Sequence, residues 1–165
     1  GLAPAAHGGN RTGRVFTGDK SSDFLYKCFY KAKISNQSNS DNLTDGLKLK
    51  KAYLTTALKC VPPEDKPLKI ELNNCFKYFN QEIELLKNLK IIVALGKIAF
   101  DACKYFYKRK HNYLNKIDFG HDKIYKLPNN ILLVGCYHPS PRNVNTGRID
   151  EKKMTNLFKK VLKLI

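Results

Sequence analysis

Several things are absent from this sequence of 165 residues, and each absence closes a class of function. No apolar run approaches the roughly 20 residues that a helix needs to span a bilayer, and no signal-peptide pattern opens the chain. A soluble, cytoplasmic, prokaryote-like protein is therefore expected. A phosphate-cradling Walker loop needs a lysine and a hydroxyl after its last glycine, but residues 13–21 read GRVFTGDKS, with Asp19 where the lysine belongs. An acid there repels a nucleoside triphosphate, so no nucleotide cofactor is expected. No G-x-S-x-G elbow is present either. The five cysteines are odd in number and lack the close spacing of a secreted disulfide framework. Cys28, Cys103 and Cys136 lie in apolar stretches and read as small core hydrophobes. Acids are scarce: 14 Asp and Glu stand against 30 Lys and Arg, a net charge of +16. That excess points to a polyanionic partner, although part of it is ordinary solvated surface.

What is present starts with a stretch rich in small residues. Residues 1–19, GLAPAAHGGNRTGRVFTGD, carry five glycines, with Ala3, Ala5 and Ala6 among them. Small residues let a ligand approach the backbone closely and expose N–H groups to anionic oxygens. A helix capped by Ser21 or Ser22 is expected next, ending by about Ser35. Residues 35–46, SNQSNSDNLTDG, read as a surface loop. Ala52–Leu58 is a strand candidate, and the three prolines of residues 60–67, CVPPEDKP, demand a loop. A helix follows, with Leu72, Phe76, Phe79, Ile83 and Leu86 on one face.

Leu89–Leu95 is a short apolar run of the kind that forms a strand buried on both faces, ended by Gly96. The helix after it closes on the basic run Lys108–His111, which suits the negative end of a helix dipole. Lys123–Leu127 is expected as an edge strand and Ile131–Cys136 as the last buried one. A loop, residues 138–148 (HPSPRNVNTGR), then leads to a C-terminal amphipathic helix expected to pack on the sheet. Strands alternating with helices predict one α/β domain with a mostly parallel sheet, whose ligands bind at the carboxyl ends of the strands. The opening loop, the loop from Cys60 and the loop from His138 should all meet at that edge. The start at Gly1 leads us to expect a further segment upstream, with the first strand.

With those residues in view, GLAPAAHGGNRTGRVFTGD followed by YHPSPRNVNTGR closely resembles the two signature motifs of family 5 uracil-DNA glycosylases. The resemblance implies a three-layer αβα sandwich with a mostly parallel central sheet. It implies a monomeric, monofunctional hydrolase that flips uracil, or another deaminated base, from DNA and breaks its N-glycosidic bond, leaving an abasic site. His138 would hydrogen-bond the uracil carbonyl as negative charge builds on it, and Phe16 would stack on the base. Ala3 and Ala5 would line the base pocket, with Ala3 at the place where other families hold a water-activating residue. Asp19, or second Asp65, would then position the water.

Thr56 would stand where family 4 relatives read uracil with asparagine. Pro141 and Arg142 would enter the duplex at the vacated position, and Arg11, Arg14 and Arg148 would contact phosphate. Cys60 and Cys75 match two of the four ligands of a 4Fe-4S cluster, the other pair lying upstream. Two rivals stand beside this reading: a noncatalytic basic DNA-binding module of the same fold, and a nucleotide-binding or phosphotransfer domain.

Overall fold

Strand-forming residues are concentrated in the second half of the chain, and the sheet is built there. The computed structural model describes residues 1–165 apart from the side chain of Asp65. The chain divides into two compact units, one made of Gly1–Leu2, Thr56–Tyr137 and Ile165, the other of Ala3–Thr55 and His138–Leu164.

The first unit holds a three-stranded sheet. Strands β1 (Ile91–Leu95), β2 (Ile124–Lys126) and β3 (Leu132–Cys136) lie in the order β1-β3-β2. β3 is central; it pairs in parallel with β1 and antiparallel with β2, which is the edge strand expected at 123–127. Leu133, Val134 and Cys136 of β3 are fully buried. Ile91, Ile92 and Val93 of β1 are half-buried, because β1 has a partner on one side only. Gly135 permits a close approach: a Cβ there would lie 2.2 Å from the Gly120 carbonyl oxygen. Helices α3 (Lys69–Leu85) and α4 (Lys97–His111) complete the unit. Its core is largely aromatic, with Phe79, Phe100, Phe106 and Tyr107 buried alongside Ala94, Cys103 and Leu133. The KRKH run occupies the last turn of α4, as its charge predicts.

Two expectations change in this unit. Ala52–Leu58 joins no ladder among the described residues; the N–H groups of Ala57 and Leu58 donate to the carbonyls of Gly1 and Leu2, a contact too short to make a strand. The proline-rich loop contains a single 3-10 turn at Pro63–Asp65, because proline is tolerated at the start of a helical turn.

The second unit is helical and loop-built. It contains α1 (Gly9–Thr12), α2 (Lys20–Lys31), α5 (Pro141–Asn145) and α6 (Glu151–Leu162). The N-cap of α2 is Asp19, two or three places before the expected serines: its Oδ1 accepts from the Ser22 N–H, and Ser22 Oγ accepts from the Asp19 N–H. The amphipathic helix α6 buries Met154, Leu157 and Phe158, and within its unit it packs against α2. Phe29 and Phe158 meet with ring centroids 4.7 Å apart, and Lys31 pairs with Glu151. Among the described residues, no helix is long and apolar enough to cross a membrane.

Candidate active site

The opening loop and the loop from His138 meet within the second unit. The opening segment carries Phe16 and Asp19, and the segment after β3 carries His138. The ring centroids of Phe16 and His138 are 6.0 Å apart and the planes are tilted by 34°. Phe16 adopts a left-handed backbone, φ 51°, and is only 8% exposed. A bulky side chain rarely takes that conformation, so the surroundings must hold it there.

His138 is half-buried, and its pKa is pushed down to about 4 by that burial, with the Asp19 carboxylate pulling the other way. The imidazole is therefore neutral at pH 7 and keeps one N–H to donate. Its backbone is fixed as well: Asn143 Nδ2 donates to the His138 carbonyl at 2.9 Å. Asn143 is held in turn because Ser140 caps α5 and Pro141 occupies the first helical position, where its missing N–H costs nothing. The segment read as a plain loop after His138 is thus partly helical, and Pro141 and Arg142 stand exposed at its start.

Asp19 serves two masters. One carboxylate oxygen caps α2, and the other lies against Gly8, where a Cβ would come within 2.1 Å of Oδ2. Only glycine leaves that space to the carboxylate. Ala3 is half-buried, while Ala5 is exposed on the same segment.

The other expected residues separate into groups. Arg11 is exposed and its Nε donates to the His7 carbonyl, a geometry that leaves its head at the surface where phosphate contact is feasible. Arg148 is exposed too. Arg14 is partly buried and tied to its own unit: its Nε donates to Thr17 Oγ1, and its Nη2 donates to Ser40 Oγ and to Asp45 Oδ2 at 2.6 Å. Asp45, Ser40 and Asn143 went unmarked in the sequence. For the first two, a run of Ser, Asn and Asp signals a surface turn and gives no hint of a buried partner.

Thr56, Cys60, Cys75 and Asp65 belong to the first unit. The Thr56 hydroxyl donates to the Leu58 carbonyl at 2.6 Å, so its one proton is already committed and only lone pairs are left to read a base. Cys60 is exposed and Cys75 half-buried, with Cys75 Sγ accepting the Lys59 N–H at 3.4 Å. Among the described residues no group of three or more His, Cys, Asp or Glu could hold a metal, so these two thiols do not by themselves form a cluster site. The Asp65 side chain lies outside the described residues.

This arrangement matches a known family. The model of the uracil DNA glycosylase superfamily matches residues 1–164. A type-5 uracil-DNA glycosylase of Thermus thermophilus is 39% identical over 165 residues, covering 99% of this chain and 73% of that protein. One of Pyrobaculum aerophilum is 37% identical over 160 residues, covering 97% and 68%. One of Mycobacterium bovis is 38% identical over 165 residues, and the chain spans 61% of that protein's length. With an α/β sheet, the Phe16–His138 pair and both motifs inside the matched span, the chain belongs to the uracil-DNA glycosylase superfamily and, within it, to the type-5 group.

Proposed function

We propose that this chain is a single catalytic domain, an intracellular monomer, that flips uracil out of DNA and hydrolyses its N-glycosidic bond, leaving an abasic site; other deaminated bases are admitted because the Thr56 hydroxyl is a poor reader. The observation that carries the reading is the Phe16 ring beside a neutral, half-buried His138. A base laid on that ring presents its edge to the imidazole. As the glycosidic bond breaks, the sugar approaches an oxocarbenium ion and the base takes up negative charge. The neutral His138 N–H donates to the base carbonyl where that charge collects, and the donor is already in place when the charge appears. Asp19 Oδ2, held open by Gly8, orients the attacking water, with Asp65 as the second candidate.

Exposed Pro141 and Arg142 enter the stack at the vacated position, and Arg11 and Arg148 sit on phosphates. The +16 charge supplies the sequence-independent part of the affinity. Cys60 and Cys75 would supply two of the four thiolates of a structural 4Fe-4S cluster, and Cys75 Sγ accepts the Lys59 N–H at 3.4 Å. No step of hydrolysis passes through that cluster. Protein prepared anaerobically with iron and sulfide should show iron-sulfur absorbance that Cys60→Ala abolishes; colourless protein would refute the assignment.

The test of function is a labelled duplex with one uracil opposite guanine, incubated with the protein and then treated with alkali. Strand cleavage that disappears in His138→Ala establishes the chemistry in this site. Tight duplex binding without cleavage at uracil, hypoxanthine or xanthine would instead identify a noncatalytic DNA-binding module.

A further inference from the structure

The polar segment after α2, which has the composition of an ordinary surface loop, is tied into the interior by one guanidinium. Arg14 Nη2 donates to Asp45 Oδ2 at 2.6 Å and to Ser40 Oγ at 2.9 Å, while Arg14 Nε donates to Thr17 Oγ1 at 2.9 Å. Thr17 and Ser40 are fully buried and share a hydrogen bond of 2.7 Å, and the Gly18 N–H donates to the Ser40 carbonyl at 2.8 Å. The Asp45 side chain is 7% exposed, and its carboxylate also accepts the N–H groups of Asp41 and Leu47.

This network brackets Phe16. Arg14 and Thr17 stand on either side of it and are bonded to each other, which closes the chain into a tight turn with Phe16 inside at φ 51°. A phenylalanine does not stay in that region unless its neighbours over-determine it. A buried Arg–carboxylate pair contributes little net stability but fixes geometry, since its fork admits one orientation.

We propose that Asp45 is a positioning residue for the Phe16 ring: through Arg14 it holds Phe16 in the left-handed conformation that sets the ring beside His138. This rests on the reading of Phe16 as the base-stacking residue and adds the device that keeps it there. Lysine would not replace Arg14, because it lacks the fork that reaches Thr17, Ser40 and Asp45 together.

The chain contains no tryptophan, so Phe16→Trp places a single indole at the position in question. In that background Asp45→Asn should redshift the emission and raise acrylamide quenching several-fold, with Asp45→Glu restoring part of the shielding. Amide hydrogen exchange on the chain with its native Phe16 gives a second reading if the indole perturbs folding. Asp45→Asn should speed exchange across residues 13–18 as well as 41–47. Unchanged indole shielding, or faster exchange confined to 41–47, would overturn the proposal. Neither readout uses DNA or a base, so both survive a failure of the glycosylase reading. If uracil is excised, Asp45→Asn should lower kcat/KM by about tenfold, the loss of one stacked base, and Asp45→Glu should recover most of it.

Discussion

The two units hold their shape by different physics. The first is an aromatic core: Phe100, with no exposed surface, packs edge-on against Phe119 and Tyr125, and Phe106 against Phe79 and Tyr107. The second buries aromatics between α2 and α6, but its motif loop is held by a polar cluster in which Arg14, Thr17, Ser40 and Asp45 bind one another. Apolar packing is non-directional and tolerates repacking, whereas a buried polar cluster accepts one arrangement and penalises every other. Catalysis needs atoms fixed within fractions of an ångström, so the directional bonds belong with the site and the bulk burial with the sheet.

Breaking the apolar side should therefore give the largest loss of stability. Phe100→Ala removes a fully buried ring and leaves a cavity, at a cost of about 3–5 kcal/mol, which is a large part of the roughly 5–15 kcal/mol that domains have in total. The urea midpoint should fall accordingly, while the molecules that remain folded keep the Phe16–His138 arrangement. A midpoint that hardly moves would mean that the aromatic cluster is not what holds the first unit.

A smaller effect, tied to the site itself, should appear on acidification. His138 has a folded pKa of about 4 against an ordinary value near 6.5, so between those limits the unfolded chain takes up a proton that the folded one refuses. Stability is then highest above pH 6.5 and falls as pH drops towards 4, by at most about 3 kcal/mol at about 1.4 kcal/mol per unit. His138→Gln should flatten that slope, and an equal slope in the variant would assign it to other groups. The Arg14–Asp45 pair should not contribute in this window. Hydrogen bonding from Arg14 holds the Asp45 carboxyl well below the usual range, and a depressed acid loses its stabilising effect only below its unfolded value, near 4.

How much of this could be read from the chain follows the same division. β3 and β1 announce themselves because buried strands are written as runs of Leu, Ile and Val, and the faces of α2 and α6 because amphipathic helices repeat at three and four residues. That α6 packs against α2 was not legible, since a hydrophobic face names no partner. The strand expected at Ala52–Leu58 shows the reverse: β-prone residues made no ladder, because a strand exists only through its neighbours. Phe16, Asp19 and His138 were singled out through the two motifs that resemble the family's, and the structure sets the Phe16 ring beside His138. The Arg14–Asp45 pair was not legible, because a surface phosphate contact and an internal clamp ask for the same residue and the partner lies 31 positions away.

The finest test of the comparison concerns Asp19, where structure and chemistry meet in one carboxylate. Oδ1 caps α2 through the Ser22 N–H, and replacing such a cap by alanine costs about 1 kcal/mol, whatever the protein does. Asparagine caps nearly as well but carries no charge. Asp19→Asn should therefore leave the thermal midpoint within about 0.5 kcal/mol of the parent. It should still depress excision, because a neutral amide no longer draws the water's proton towards it as the sugar becomes cationic. Asp19→Ala should lower both. If asparagine restores full activity together with the cap, Asp19 is a helix cap and nothing more.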